Sequence, residues 1–353
     1  MITTARLFFL LCFCNINVNL FINLKNTFMT DQVLYCGIDI SADSFDICYL
    51  QSGGELVFGK LPNTIAGFKE LLKLCPENYH FVMEATGAFH LPLCFYLHDK
   101  NCFYSVVNAL QIKRYIQMHL ERSKTDKKDA RHICMYGIER KPGQYKMPDQ
   151  QYFECRTLNN AIEAVTTDVV SYSNKIYAAK KLKIDSAVAV KTYQQIIKTL
   201  KNELQKLQVE LDQKLMKWQP DLVTQVKSVK GIGKRTAATL IVFTQGFKHT
   251  ASYQQLISYA GLSPREYTSG KSIKGRVHIS KIGGKQLRHL LYMAALNAKK
   301  TNPACKALFN RLVEKGKNKK LAIIAVCNKL LKQVFAVVKS GVLYSDNYYK
   351  NIA

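Results

Sequence analysis

The longest stretch without glycine or proline runs from Asp149 to Gln219, and it restricts how the whole chain can fold. Since these two residue types are the strongest interrupters of a helix, the run predicts long helices. Its second half has apolar residues at alternating spacings of three and four, typical of a heptad seam. They are Ile197, Leu200, Leu204, Leu207 and Leu211. We therefore expect a helical coiled-coil spacer over 149–220, either an antiparallel hairpin or a dimer contact.

Short apolar runs before this spacer predict strands. Val33 to Ile38 ends at Asp39, and Phe45 to Leu50 has the pattern of a second strand. Gly53 and Gly54 form a turn into a third strand, and helical and strand-like runs then alternate along the chain. We expect an α/β domain over 33–148, with helices on the faces of its sheet.

Four carboxylates stand at the ends of these elements: Asp39 and Glu84 after two strands, and Asp126 and Asp129 at the start of a helix. Each alone is typical of a turn or a helix cap. However, strand ends in an α/β sheet converge on one edge, where like charges repel unless cations neutralise them. The four residues therefore predict a site for two Mg²⁺ ions, with Mn²⁺ as an alternative, that acts on a phosphodiester.

The net charge of the chain indicates which class of partner it binds. Lys and Arg number 51 against 25 Asp and Glu, a formal net charge of +26. Nucleic acid fits this balance better than an anionic membrane, because we find no basic amphipathic helix or long apolar span. The 11 cysteines include no CxxC pair. This favours reduced thiols in a cytoplasmic protein over disulfides or structural zinc.

The first 28 residues are treated separately. Leu7 to Cys14 is apolar and follows Arg6, but Asn-rich sequence follows it and no small-residue cleavage site is evident. We expect Met29 to be the natural start, and 1–28 to be a disordered product of over-extended translation.

Beyond the spacer, VKGIGKRTA has the Gly-apolar-Gly pattern of a helix-hairpin-helix element. Glycines allow the backbone to approach phosphate, and the next helix offers free N–H groups. Lys230, Lys234 and Arg235 flank the hairpin, which favours phosphate contact over a simple tight turn.

A basic, loop-rich surface is predicted from Arg265 to Arg288, where no periodic core pattern occurs before Leu287. Ser269, on a Ser-Gly turn among cations, is a candidate nucleophile toward a phosphodiester. A serine in such a loop is more often a hydrogen-bonding turn residue, so both interpretations stay open at this point.

Together these motifs resemble the DEDD-type insertion-sequence transposases, the family of the pilin-gene invertase and the bridge-RNA-guided recombinases. The resemblance runs from Tyr35 to about Gly341. It rests on GIDIS, MEATG, KTDKKDA, the GIG hairpin, SPREYTSGKSIKG and HISKIGGKQLR. It implies an N-terminal RuvC-like domain of RNase H type, the spacer, and a C-terminal transposase domain over 221–341. The acidic tetrad of the family falls on Asp39, Glu84, Asp126 and Asp129, and its serine falls on Ser269, between Thr268 and Gly270.

The resemblance implies DNA recombination, in which the serine forms a covalent phosphoserine link while the metal-bound tetrad assists. Implied partners are DNA, a noncoding guide RNA that selects sequence by base pairing, and further copies of the chain as a dimer or tetramer. The rival interpretation is an endonuclease of the Holliday-junction resolvase kind, which uses the tetrad and water, with Ser269 only binding phosphate. A catalytically inactive nucleic-acid-binding protein is less favoured, because all five residues are present.

The predicted nucleic-acid contacts are the cations and glycines nearest these motifs, in a protein expected in the cytoplasm in association with the nucleoid. They are Lys124, Lys127, Lys128, Gly231, Gly233, Lys234, Arg265, Lys271, Arg276, Lys285 and Arg288.

Overall fold

The structure is a computed structural model that describes most of the chain. The described residues are 33–51, 53–76, 78–85, 87–120, 125–182, 187–248, 250–265, 268–269, 273–275 and 278–346. The segment 1–28 and the predicted contacts Lys124, Lys271 and Arg276 lie outside them. The chain forms two compact units, one ending at Met147 and the other beginning at Pro148. The finer division into 33–148, 149–220 and 221–341 stays a prediction.

The N-terminal unit is a mixed α/β domain, as predicted, built on a five-stranded sheet. Its elements are β1 (Leu34–Ile40), β2 (Ser44–Leu50), β3 (Leu56–Pro62), α1 (Ile65–Leu74), β4 (Tyr79–Glu84), α2 (Leu91–Asp99), β5 (Phe103–Val107), α3 (Ala109–Met118) and α4 (Asp126–Arg140). The strand order is β3-β2-β1-β4-β5. The first three strands are antiparallel, whereas β4 and β5 run parallel to β1.

Both faces of this sheet are apolar, which explains why its strands have nearly continuous apolar sequences. Ile38 and Phe81 belong to the core that α1 and α2 cover. Tyr35, Cys48 and Val82 belong to the opposite face, where α3 and α4 pack.

A glycine allows α4 to lie directly on β1. A Cβ added at Gly37 would stand 2.1 Å from the backbone nitrogen of Cys134 and 2.5 Å from the carbonyl oxygen of Ala130. Both atoms are backbone, so no rotamer change could relieve the contact. At Gly37, helix and strand therefore approach too closely for a side chain of any size.

The C-terminal unit is mostly helical. Its elements are α5 (Gln150–Leu182), α6 (Ala187–Trp218), α7 (Pro220–Ser228), α8 (Lys234–Phe243), α9 (Tyr253–Tyr259), β6 (Pro264–Arg265), β7 (Thr268–Ser269), β8 (Ile273–Lys274), β9 (His278–Ile279), α10 (Lys285–Thr301), α11 (Pro303–Glu314) and α12 (Lys319–Ser340). The long helices expected from the glycine- and proline-free run are α5 and α6.

These two helices pack antiparallel. Glu154, near the start of α5, bonds Lys214 near the end of α6 at 2.6 Å. Farther along, the rings of Tyr172 and Tyr193 lie 5.6 Å apart. Leu211 of the heptad seam is buried. The pairing matches the hairpin alternative, while the supercoil of a coiled coil and a dimer contact stay predictions.

Helix α12 corrects one expectation from the sequence. By length and composition it is apolar enough to cross a membrane, with a mean hydropathy of 1.8, so the prediction that no long apolar span occurs is wrong. Half of that span is buried inside the protein, and Val326, Leu330 and Val334 are fully buried. Since α7, α9, α10 and α11 all pack against it, its apolar sequence is that of a central core helix.

The described residues between 264 and 279 form short strands where the sequence predicts a loop. Strand β6 pairs antiparallel with β9, and β7 with β8. Strands of two residues are too short to produce a recognisable alternation, which is why the sequence pattern did not indicate them.

Candidate active site

Asp39 and Glu84 lie next to each other at one end of the sheet. Their predecessors, Ile38 and Met83, are register partners in the parallel pair of β1 and β4. Because side chains alternate along a strand, Asp39 is on the same face as Gly37, and Glu84 on the same face as Val82. That is the face that α4 covers. Both carboxylates are half-buried.

The direction of α4 brings its first turn toward the same end. Gly137, near the end of α4, packs against Tyr35, where a Cβ would stand 2.8 Å from Cδ1. Ala130, near the beginning, lies over Gly37. The helix therefore runs antiparallel to β1, and the turn that precedes Ala130 points toward Asp39. That turn carries the other two acids of the predicted tetrad.

A different residue, and neither of these two acids, caps the start of α4. Thr125 is the N-cap of α4, and its Oγ1 accepts a hydrogen bond from the backbone N–H of Lys128 at 3.3 Å. Asp126 is exposed, whereas Asp129 is buried. Capping by Thr125 does not account for the burial of Asp129, whose place in the tetrad stays a prediction.

The four carboxylates do not form a compact cluster. Among the residues that the structure describes, no group of three or more His, Cys, Asp or Glu side chains could hold a metal ion. In donor type the residues do fit a hard divalent cation, since all four are carboxylates on strand ends or on the helix turn that begins near them. Carboxylates held close together repel each other, and a bound cation removes that repulsion.

A fifth carboxylate, which the sequence analysis missed, stands beside them. Asp46 of β2 is the register partner of Asp39, and partners in an antiparallel pair share a face. Its Oδ2 lies 3.5 Å from Nζ of Lys60 on β3. The register of the β1–β2 hairpin could have revealed it, had the pairing been extended from the turn.

Two predicted cations near α4 have defined environments. Nζ of Lys127 lies 4.4 Å from the centre of the Phe58 ring, a cation–π contact that fixes it above the edge of the sheet. Lys128 is half-buried in the same turn. Both lysines lie close to the carboxylates in sequence. Positive charge at this position would favour binding of a phosphate backbone.

In the helix-hairpin-helix element the two glycines differ. Gly231 has a positive φ of 105°, and its added Cβ would stand 2.5 Å from Cβ of Ala298 on α10. Packing against α10 therefore explains why this position needs glycine, and no phosphate contact is required to explain it. Gly233 is exposed, has open space around it and precedes α8 as a cap without a side-chain hydrogen bond. Gly233 and the exposed Lys234 therefore stay candidates for contact with an anion.

The other two cations that flank the hairpin bind protein groups in the structure. Nη1 of Arg235 donates to Oδ1 of Asn159 at 3.1 Å. Burial lowers the pKa of this guanidinium, an effect that the Glu163 carboxylate opposes. Lys230 forms an ion pair with Asp346. Charge alone indicates a cation near the hairpin but not the direction in which its side chain points.

Ser269 lies at the end of β7, where it is the register partner of Ile273 in β8. Arg265 in β6 and Lys285 at the start of α10 are exposed. Arg288, by contrast, donates from Nη1 to the carbonyl oxygens of Ala260 and Gly283 at 3.2 and 3.1 Å. It therefore joins two backbone segments of this unit.

The comparisons with known proteins agree with this arrangement. A DEDD-type family model, described as a transposase, matches residues 36–181. A second, described as transposase IS116/IS110/IS902 family, matches residues 223–310. The pilin gene-inverting proteins of Moraxella lacunata and Moraxella bovis are each 30% identical over 320 residues, 87% of this chain and 96% of theirs. An uncharacterized 43.6 kDa protein of insertion element IS110 from Streptomyces coelicolor is 31% identical over 119 residues, 34% of this chain and 29% of that protein.

The matches to transposase sequences, over both the mixed α/β domain and the helical unit, identify the class of protein as a DNA transposase. The chain belongs to the IS110 family of transposases. It is an enzyme that acts on DNA. Its membership of a DEDD-type family implies that it uses a divalent metal. Its action as a DNA transposase implies a cytoplasmic location.

Proposed function

We propose that this chain recombines the DNA of an insertion sequence by covalent catalysis, with Ser269 as nucleophile and with Asp39, Glu84, Asp126 and Asp129 as a Mg²⁺-binding tetrad. The observation that carries the proposal is that Asp39 and Glu84 follow register partners at the end of the sheet toward which α4 begins. The strand order β3-β2-β1-β4-β5 supports a RuvC-like fold for this unit.

The chemistry balances without an external energy source. The Oγ of Ser269 attacks a phosphorus atom of the DNA backbone, the bond to one deoxyribose oxygen breaks, and that oxygen takes up a proton. The resulting phosphoserine ester keeps one phosphodiester equivalent. A deoxyribose hydroxyl of another strand then attacks the same phosphorus, and the serine hydroxyl is restored. The number of phosphodiester bonds is unchanged.

The tetrad contributes charge and position. Bound Mg²⁺ supplies a Lewis acid for the phosphate oxygens, with Mn²⁺ as an alternative. Asp39 and Glu84 offer carboxylates from rigid strands, and Asp129 offers one from a buried turn. Rigid elements hold catalytic groups more closely than loops, which suits a reaction that needs the phosphate in a fixed orientation.

The proposed partners are inferred from the net charge of the chain and from its family. The net charge of +26 supports binding of both DNA and a noncoding guide RNA. Exposed Gly233 and Lys234 at the start of α8, with Arg265 and Lys285, are the proposed backbone contacts. The antiparallel pair of α5 and α6 would act as a coiled-coil spacer in a dimer or tetramer associated with the nucleoid.

A trapping assay tests the covalent step. Wild type and Ser269→Ala are incubated with DNA carrying the ends of the element, Mg²⁺ and any RNA that purifies with the chain, then separated on a denaturing gel. We expect a protein–DNA adduct with wild type and none with the variant. Cleaved DNA without an adduct in either sample would instead identify a metal-dependent endonuclease of the resolvase kind.

A further inference from the structure

A row of charged side chains crosses four strands at the end of the sheet that carries Asp39. In the antiparallel pairs, Asp39 is opposite Asp46, and Asp46 is opposite Lys60. Opposed residues of an antiparallel pair share a face of the sheet. Glu84 stands next to Asp39 on its other side, in the parallel pair of β1 and β4. The four side chains therefore form one row across β3, β2, β1 and β4.

The position of Asp46 is unfavourable for the fold itself. Aspartate is among the residues least suited to a strand, and like charges directly opposite each other destabilise a pair of strands. Phe45 and Ile47 on either side are buried, and the Asp46 side chain is only 18% exposed. Its ion pair with Lys60 compensates little, because the lysine side chain is 60% exposed and ion pairs in water are weak. Packing and pairing therefore do not explain an aspartate at this position.

A divalent cation held by Asp39 would change this balance. The Cβ atoms of opposed residues in an antiparallel pair lie about 5 Å apart. At that range the Asp46 carboxylate attracts a cation bound to its neighbour, and the Lys60 ammonium group repels it. The affinity of a carboxylate site for such a cation depends on the negative charge gathered around it. Asp46 and Lys60 therefore act on the same site with opposite sign.

We propose that Asp46 and Lys60 are positioning residues that act through Asp39 and set the affinity of the tetrad for its divalent cation. Asp46 raises this affinity and Lys60 lowers it. The inference rests on the proposed metal site, but not on the serine or the guide RNA. The competing explanation is an ion pair that only stabilises the β2–β3 hairpin. Loss of either partner would then act in the same direction, whereas charge tuning predicts opposite directions.

Binding of Mn²⁺ to the full chain in the absence of DNA tests this. Electron paramagnetic resonance detects the free ion, whose signal disappears on binding, so the Kd is measured without an activity assay. Asp46→Asn and Lys60→Gln each remove one charge with little change in shape.

Two exposed residues of the same unit provide matched controls. Glu55→Gln removes a carboxylate that precedes β3, about 16 Å from Lys60 along the strand. Lys73→Gln removes an ammonium group from α1, which covers the opposite face of the sheet. Either substitution changes the net charge by one without changing the row.

We expect Asp46→Asn to raise the Kd of Mn²⁺ by about 10-fold, because a carboxylate beside the cation is lost. Lys60→Gln should lower the Kd by about 3-fold, a smaller effect because water screens the exposed ammonium group. The double variant should lie between the two single variants. Both controls should stay within about 1.5-fold of wild type, because their charges lie beyond the range of an unscreened interaction.

Changes of the same sign in Asp46→Asn and Lys60→Gln, or changes no larger than those of the controls, would overturn the proposal. Thermal melting by circular dichroism checks folding. If Asp46→Asn melts early, exposed Lys60→Gln decides alone, and an unchanged or raised Kd in that variant overturns the proposal.

Asp39→Asn separates this inference from the metal site on which it rests. If wild type binds Mn²⁺ no better than Asp39→Asn does, the proposed metal site fails and the inference fails with it. If Asp39→Asn abolishes binding while Asp46→Asn and Lys60→Gln bind like wild type, the inference alone fails.

Discussion

Gly37→Ala is the substitution that most directly tests how α4 lies on the sheet. The new Cβ would start 2.1 Å from the backbone nitrogen of Cys134, and an ordinary contact begins at 3.4 Å. Helix and strand must therefore separate by about 1.3 Å, because neither backbone atom can rotate away. Overpacking of this kind costs about 3 kcal/mol when the surroundings are rigid. We expect a urea midpoint for the N-terminal unit lower by about 1 to 3 M, since small domains lose about 1–3 kcal/mol of stability per molar urea.

The same displacement should affect catalysis. Moving the start of α4 by about 1 Å relative to Asp39 would slow strand cleavage by about 10²-fold. DNA binding should change less, because most of the predicted contacts lie outside α4.

The chain provides a matched control and a built-in reporter for this test. At Gly59 on β3, an added Cβ would meet only the flexible end of the Ile47 side chain, at 3.3 Å. Gly59→Ala should therefore leave stability and cleavage close to wild type. Trp218 is the single tryptophan and lies in the C-terminal unit. Its fluorescence should be unchanged while circular dichroism reports early unfolding. Equal urea midpoints for the two variants would refute the close contact of α4 with β1.

Three further outcomes are expected. Asp126→Asn should abolish Mg²⁺-dependent cleavage while DNA binding in a gel-shift assay stays nearly intact; unchanged cleavage would remove Asp126 from the metal site. Lys234→Gln should lower the salt slope of duplex binding by about 0.9, the value for one phosphate contact, whereas an unchanged slope would separate the start of α8 from DNA. Burial lowers the pKa of His80, whose Nε2 lies 2.7 Å from Oγ of Ser105. As the pH falls, His80 therefore takes up a proton at a higher pH in the unfolded chain than in the folded chain. Urea titrations should show the N-terminal unit losing stability as the pH falls below about 6.5. His80→Gln should lack this loss. An identical pH profile for that variant would contradict the assignment.

Much of the architecture could be predicted from sequence because local patterns and packing agree. The first strands were predicted because apolar runs ended at turn residues, and α5 and α6 because no glycine or proline interrupts 149–219. The acids at the strand ends were found for the same reason, since the ends of regular elements are easy to locate.

The remaining features depend on directions and distances that a sequence does not state. Arg235 flanks the predicted phosphate-binding hairpin and Arg288 is a predicted phosphate contact, yet their guanidinium groups bind Asn159 and backbone carbonyl oxygens. Gly231 resembles a phosphate-binding glycine but is required by its approach to α10. Asp46 joins the acidic edge only through strand pairing. In each case tertiary contacts decide what the side chain does.

The central claim is that Ser269 becomes covalently joined to DNA. The most direct measurement is mass spectrometry of the adduct after digestion with nuclease and protease. The account predicts a nucleotide phosphate on Ser269 of the peptide that contains residues 265–274. The same modification on Thr268 or Ser272 would contradict the assignment of the nucleophile, and unmodified peptide from a reaction that cleaves DNA would contradict covalent catalysis.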